Sequence, residues 1–335
     1  MDAIFNKNIN MFSCPSCKGS FDIVSGRLKC KACKREYKFE NGIPLLFQLE
    51  QGNTSQEGVT KIIKSFYEKN PFPNYDDLDS SESLREKSKE GVFANLLDEQ
   101  IKHGSSILEV GCGTGQLSNF LGLSWDRKVF GVDMCMNSLK LGKAFRDKNK
   151  INNTAFIQMN LFKPVFKENS FDVVICNGVL HHTGNPFLGF ESIGKLVKKN
   201  GYIIIGLYNS YGRITTDIRR LIFNATGNRL RFFDPRLRKN GLSDLRKNTW
   251  FMDQYKNPHE SKHSMDEVLE WFSKTGFEFV NSFPKISSDN KNSEKDLLFT
   301  NHPRGTKLDR LFTQFNLLIT GGKEGGFFIM IARKN

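Results

Sequence analysis

Two pairs of cysteines stand at Cys14-Pro15-Ser16-Cys17 and Cys30-Lys31-Ala32-Cys33, with twelve residues between them. Each pair can present two thiolates to one ion, and two such pairs complete a tetrahedral site. An all-sulfur donor set selects zinc or iron, and the short symmetric spacing favours a structural zinc with no open coordination position. Folding of this piece then depends on the metal. The other three cysteines, Cys112, Cys135 and Cys176, are isolated, which suits a metal site in a reducing compartment better than a disulfide framework.

A second group of residues has the makings of a nucleotide site. Ile107-Leu108-Glu109-Val110-Gly111-Cys112-Gly113-Thr114-Gly115-Gln116 runs from an apolar stretch into a helical one. Glycines there let the backbone turn sharply and approach a ligand closely. Nicotinamide and flavin enzymes share this logic, but their pattern needs Gly or Ala where Gln116 stands. Asp133 ends the next apolar stretch, Val129-Phe130-Gly131-Val132-Asp133. A carboxylate at that point can accept both ribose hydroxyl protons of an adenosine.

For acid–base work the prominent residues are His181 and His182, which follow the apolar run 171–176. A general base is needed where an acceptor must lose a proton before it reacts. Three further clusters are placed to shape an acceptor pocket: the aromatic, Pro-interrupted stretch Phe66 to Tyr75, the run Tyr208-Asn209-Ser210-Tyr211-Gly212-Arg213, and Asp253-Gln254-Tyr255 with Pro258, His259, Glu260 and His263. The spacing of the last group is poor for a metal.

Positioning these groups takes a repeated strand–helix order. Strands are predicted at 107–110, 128–132, 154–159, 171–176 and 202–207, and helices from the glycine loop to 121, at 138–149 and at 186–199. That alternation implies a parallel, doubly wound α/β sheet with ligands at the carboxyl ends of its strands. Two more strands, 277–283 and 326–332, follow with no room for a normal crossover helix, and the last is expected to run antiparallel. The chain divides into a cysteine module (1–48), a polar linker (49–57) and a large domain (58–335). The large domain opens with helices that form a lid (58–104) and carries an insertion at 208–262.

The 335 residues carry a net charge of +13, which favours anionic partners. The insertion is rich in Arg (Arg213, Arg219, Arg220, Arg229, Arg231, Arg236, Arg238, Arg246), and Arg suits bidentate phosphate contacts. RNA and an anionic membrane surface are the two partners this suggests for 209–262. Ile214, Ile218, Leu221 and Ile222 recur at helical spacing, and packing of that face on the sheet is the favoured expectation. No apolar run is long enough to span a bilayer, and residues 1–11 lack the apolar core of a secretion signal. The expected location is cytoplasmic, with a peripheral membrane position as its variant, and no obligate protein partner is evident.

The segment Glu109 to Gly115 resembles motif I of class I S-adenosylmethionine-dependent methyltransferases. Asp133 matches that family's ribose-binding acid. Met159-Asn160-Leu161, with Asn169-Ser170-Phe171-Asp172-Val173-Val174, matches its adenine-contacting segment, with Asn160 where the family usually has Asp. Asn177 to Thr183 matches the motif after strand four, and Lys198-Lys199-Asn200-Gly201 stands for the usual Lys-Pro-Gly-Gly. The resemblance is strong over 105–207, looser over 264–333, and nearest to the quinone C- and O-methyltransferases. It implies a Rossmann-like seven-stranded sheet, S-adenosylmethionine as cofactor, and Glu109, Gly111, Gly113, Gly115, Asp133, Met134, Asn160, Leu161 and Asn177 as its contacts. An amide carbonyl at Asn160 can still accept from the adenine amine. Residues 12–48, including Asn41-Gly42-Ile43-Pro44, resemble the small zinc ribbons that partner and activate methyltransferases, here fused in cis. The zinc module of some ribosomal RNA guanine methyltransferases is a weaker match, because those use a Cys/His set.

The expected activity is methyl transfer to a small-molecule or lipid-linked metabolite. An RNA methyltransferase is the first alternative, favoured by the charge, the ribbon and the arginines. A non-catalytic cofactor-binding interaction protein is the second.

Overall fold

The computed structural model describes residues 3–49, 54–73, 75, 80–238, 241–286, 296–320 and 325–335. After a short helix α1 (Ala3–Lys7) the cysteine module folds as small hairpins. These are β1 (Phe21–Val24), β2 (Arg27–Cys30) and β3 (Glu36–Tyr37), then β4 (Phe39–Glu40) and β5 (Ile43–Pro44). Three helices follow: α2 (Thr54–Lys69), α3 (Ser81–Glu90) and α4 (Val92–Gln100). Residues 50–53 of the expected linker lie outside the described residues. Its last part, from 54, is already helical, so the polar composition of that stretch marks a helix start rather than a spacer.

The large domain then alternates β6 (Ser106–Val110), α5 (Gln116–Leu121), β7 (Lys128–Asp133), α6 (Met136–Lys148), β8 (Thr154–Gln158), β9 (Phe171–Asn177), α7 (Pro186–Gly194) and β10 (Val197–Tyr208). The insertion supplies α8 (Ile214–Ala225) and α9 (Asp244–Lys256). The chain closes with α10 (Met265–Thr275), β11 (Phe277–Phe283), α11 (Lys307–Thr320) and β12 (Phe327–Lys334). Seven strands form one sheet in the order β11-β12-β10-β9-β6-β7-β8. The pairings of β10, β9, β6, β7 and β8 are parallel, and β12 runs antiparallel to both its neighbours. The expected α/β sheet is therefore present, antiparallel strand included. The central strands β6 and β9 are mostly apolar and buried along nearly their whole length because helices cover both faces of the sheet.

Two expectations need correction. Helix α7 ends at Gly194, not at 199, and Lys198 to Gly201 belong to β10. Val197 pairs with Phe171 and Lys198 Nζ lies 2.9 Å from the Asp172 carboxylate, so cross-strand contacts outweigh the helical preference of the lysines. A 14-residue helix, α11, also lies between β11 and β12, where none was expected.

The cysteine module does not stand apart from the sheet. Phe12 is fully buried, with its ring 4.6 Å from Phe166 and 5.8 Å from Phe130 of β7. Ser13 N–H donates to Val165 O, Lys167 N–H to Met11 O, and Lys18 Nζ to Pro164 O. One apolar core runs from Phe5, Leu28 and Leu46 through to Leu108, Phe130 and Val174. Burial of aromatic surface, at roughly 25 cal/mol per Å2, thus holds the module in place alongside any metal.

Candidate active site

Every strand of the parallel set ends toward one cavity of about 650 Å3. Its first wall is the loop after β6. Gly111 N–H and Cys112 N–H both donate to Val132 O at the end of β7, which pins the loop between the two strands. Gly113 adopts φ +53°, and a Cβ there would sit 2.1 Å from Phe72 O. That is far inside the ~3.5 Å of a relaxed contact. The glycine is thus required by the segment lying over the loop as well as by any ligand. Thr114 Oγ1 donates to Pro73 O, and Tyr75 Oη donates to Thr114 O at 2.9 Å while its ring stacks on Phe145. The aromatic stretch therefore closes over the glycine loop; Asn74 within it lies outside the described residues.

Asp133 ends β7 with Oδ2 accepting from Gly113 N–H (2.9 Å) and Oδ1 from Cys135 N–H (2.8 Å). Burial raises this carboxyl above its ordinary value, against the pull of those two donors. Glu109 is buried beneath it, and burial pushes it up to about 7 although Ser118 Oγ donates to it. Gly111, Met134, Asn160, Leu161 and Asn177 line the same cavity. Of the expected cofactor residues, Gly115 alone is not brought to it. It sits at the N-terminus of α5, where a Cβ would strike the Phe156 ring at 2.3 Å.

Asn160 lines the cavity, as expected, and is also held by the chain on both sides. Its Oδ1 accepts from Phe162 N–H (3.1 Å), and its Nδ2 donates to Gln48 O (2.8 Å), at the end of the cysteine module. Just before, Leu46 N–H donates to Gln158 O of β8. The Gln48 side chain reaches back, with Nε2 3.2 Å from Tyr37 Oη, and Tyr37 Oη is 3.2 Å from Cys14 Sγ. A line of hydrogen bonds therefore joins the cysteines to the cavity wall. No sequence pattern marks this link, since Gln48 and Asn160 are 112 positions apart.

A further set of polar groups lines the cavity. His182 Nδ1 lies 2.9 Å from His259 O. A carbonyl only accepts, so Nδ1 bears the proton and Nε2 keeps the lone pair of a ring that lines the cavity. Burial lowers the His182 pKa, so the ring is neutral at pH 7. Tyr67 Oη donates to Asp253 Oδ1 (2.7 Å), and Gln254 Nε2 donates to Asp253 Oδ2 (2.8 Å) and to Tyr208 Oη (2.7 Å). Burial, reinforced by Asp253, keeps the Tyr67 phenol protonated.

His181 is not among these groups. It is fully buried, its ring centroid 4.2 Å from that of Tyr208, and neither ring nitrogen has a partner among the described residues. Burial holds its pKa well below the ordinary value, so it serves as a neutral packing element. Two of the arginines expected to contact phosphate are engaged inside the fold instead. Arg213 is fully buried, with Nε and Nη2 on the Glu260 carboxylate at 2.8 and 2.6 Å, and Arg220 Nη2 joins at 3.1 Å. Burial works to raise Glu260, but the Arg213 fork outweighs it and holds the carboxyl below its ordinary value. His263 pairs with Glu267, so the His259–Glu260–His263 set does not converge on a metal.

The four sulfurs of Cys14, Cys17, Cys30 and Cys33 all lie within 4.8 Å of one another, with Cys14–Cys33 at 3.8 Å and Cys17–Cys30 at 3.4 Å. A tetrahedral ion with bonds of about 2.3 Å needs sulfur–sulfur edges of about 3.8 Å, so the donor set fits zinc. Gly19 N–H donates to Cys17 and, with the neighbouring thiols, brings it down to about 7.

A family model described as a methyltransferase domain matches residues 101–270, and a Trm112p-like model matches residues 7–42. The chain belongs to the methyltransferase-domain family. It is an S-adenosylmethionine-dependent methyltransferase of class I with an N-terminal zinc-ribbon module. An uncharacterized protein of Methanocaldococcus jannaschii is 29% identical over 163 residues, covering 47% of this chain and 66% of the relative. Demethylmenaquinone methyltransferase of Oceanobacillus iheyensis is 25% identical over 154 residues, covering 45% and 62%. The chain thus spans slightly less than two thirds of each of these relatives. A solved complex of the Haloferax volcanii Trm112 methyltransferase activator with a putative methyltransferase aligns at 12% identity and a TM-score of 0.47, covering 76% of this chain and 92% of that one. The Trm112p-like match partly conflicts with the expectation that no obligate protein partner is evident, because residues 7–42 are of that type.

Proposed function

We propose that this methyltransferase acts on a small acceptor with an ionisable group and an apolar body, of the kind found in quinone or lipid-linked metabolites. The observation that carries the reading is the neutral His182, its Nδ1–H anchored on His259 O, in a ring that lines the same cavity as Asp133. Phe72, Phe162, Trp250 and Phe327 give that cavity its apolar lining. Methyl transfer is an in-line displacement, so the chain's main task is to align two bound partners. S-adenosylmethionine, when bound, supplies an electrophilic methyl on a sulfonium. Asp133 would accept from its ribose hydroxyls, and Glu109, Gly111, Gly113, Met134, Leu161 and Asn177 would hold the rest of the molecule. His182 Nε2 takes the acceptor's proton, and Tyr67, Asp253 and Tyr208 orient the acceptor.

In the same reading the four cysteines hold zinc. The ribbon then acts in cis, steadying Asn160 through Gln48 O. The RNA alternative keeps its support from the +13 charge, although Arg213 and Arg220 are already spent on Glu260.

The test is to incubate the protein with methyl-labelled S-adenosylmethionine and a cell extract, and then to separate RNA, organic-soluble and small polar fractions. Label in the organic or small-molecule fraction is the expected result. Label released only by nuclease makes the substrate RNA and overturns the reading.

A further inference from the structure

The apolar face of α8 does not pack on the sheet, as the sequence had suggested. Phe223 points inward and is fully buried, but Ile218 is 52% and Leu221 70% exposed. Helix α11 repeats the pattern, with Phe312 at 69% and Ile319 at 82% exposed, while Arg310, Thr313 and Gln314 face inward. The two elements meet where Tyr211, just before α8, and Phe315 of α11 have ring centroids 5.2 Å apart. Two amphipathic helices thus turn apolar residues outward, and the segment leading into α8 meets α11.

The loop after α8 adds charge and aromatics. Phe232 and Phe233 are both exposed and stack at 4.7 Å. Exposed Arg229, Arg231 and Arg238 flank them, and the side chains of these three make no ion pair among the described residues. Between 209 and 238 there are seven Arg and two Asp. Both acids are spent internally: Asp217 pairs with Lys262, and the buried Asp234 accepts from Tyr255 Oη and Trp250 Nε1. Arg236, on the same loop, stacks over Trp250 at 4.0 Å, and both line the cavity.

We infer that the α8–α11 face and the Phe232–Phe233 loop form a docking surface for an anionic phospholipid bilayer. Exposed aliphatic stripes gain by entering the acyl boundary, and arginines at their edge pair with lipid phosphates. An RNA surface has the second requirement but no use for the first. The loop that dips into the lipid also carries the cavity rim, which opens the site toward the bilayer. The inference concerns where the chain sits and stands or falls separately from the acceptor's identity.

Sedimentation with sucrose-loaded vesicles tests it on the full chain. Binding to vesicles of phosphatidylglycerol and phosphatidylcholine is expected, falling with added salt and with phosphatidylcholine alone. Leu221→Ser and Phe312→Ser should each weaken partition about tenfold, and Arg229→Gln and Arg231→Gln about fivefold each. All four are surface changes, so circular dichroism should show the fold intact. Absent vesicle binding, or binding that all four variants leave unchanged, overturns the inference. Binding to bulk RNA in place of vesicles assigns the arginines to RNA. A dimer in sedimentation equilibrium that Leu221→Ser dissolves, without vesicle binding, assigns the face to a second copy.

Discussion

His182 and His181 show how far adjacent identical residues can part. The turn Leu180–His182 after β9 sends His182 to the cavity and His181 beneath Tyr208. Sequence marked the pair by its place at a strand's carboxyl end, but which ring is wetted depends on a single turn's phase. His182→Gln is expected to cut label transfer to the acceptor by about a hundredfold, with cofactor affinity unchanged. Its lowered pKa fixes the sign of the pH dependence: the base is neutral at pH 7 and is lost as pH falls through a value below 6.5. Rate measurements between pH 5 and pH 8 check this, and an acid limb above 6.5 would remove His182 from the role. His181→Phe keeps an aromatic ring at this packed position and should retain the activity. Asp133, Gly111 and Gly113 were legible as cavity residues because each sits at or just after a strand end, whereas Gly115 packs on Phe156 instead. Gly113 was legible in type but not in full reason, since the nearest atom to its missing Cβ is Phe72 O from a distant segment.

At the scale of elements, strands and helices followed their apolar periods, and the misses lie where long-range contacts decided. Val197 and Lys198 joined β10 because Phe171 and Asp172 of β9 were there to meet them. The stripe on α8 was visible in sequence, yet periodicity gives the face and not what covers it. The cysteine module was legible from its spacing alone, but its docking was not, because Phe12 and Gln48 belong to no motif and the Asn160 motif carries no sign of a contact to Gln48. That docking carries a prediction. Cys14→Ser removes one metal ligand and loosens the Tyr37–Gln48 line, so zinc content should fall. Cofactor affinity should drop about fivefold as the bond to Asn160 weakens. Full zinc content by mass spectrometry contradicts the ligand set. Zinc loss at unchanged affinity contradicts the coupling.

For the whole molecule, one core spans the ribbon and the sheet, and the ligand-bearing strand ends meet in one cavity. The lid segment, the insertion and the ribbon each reach that cavity from a different part of the chain: Phe72 and Tyr67, Asp253 and Trp250, and Gln48 through Asn160. Such convergence is what a doubly wound sheet provides at its carboxyl edge. A cofactor bound there touches several elements at once and should stabilise the fold by mass action. The most direct measurement is calorimetric titration of S-adenosylmethionine into the wild-type protein and into Asp133→Ala, with circular dichroism confirming that both are folded. One site per chain is predicted for the wild type, and at least about a hundredfold loss in the variant, from two charge-assisted hydrogen bonds. Equal affinity in the two proteins, or no binding by the wild type, would contradict the assignment of this cavity to the cofactor.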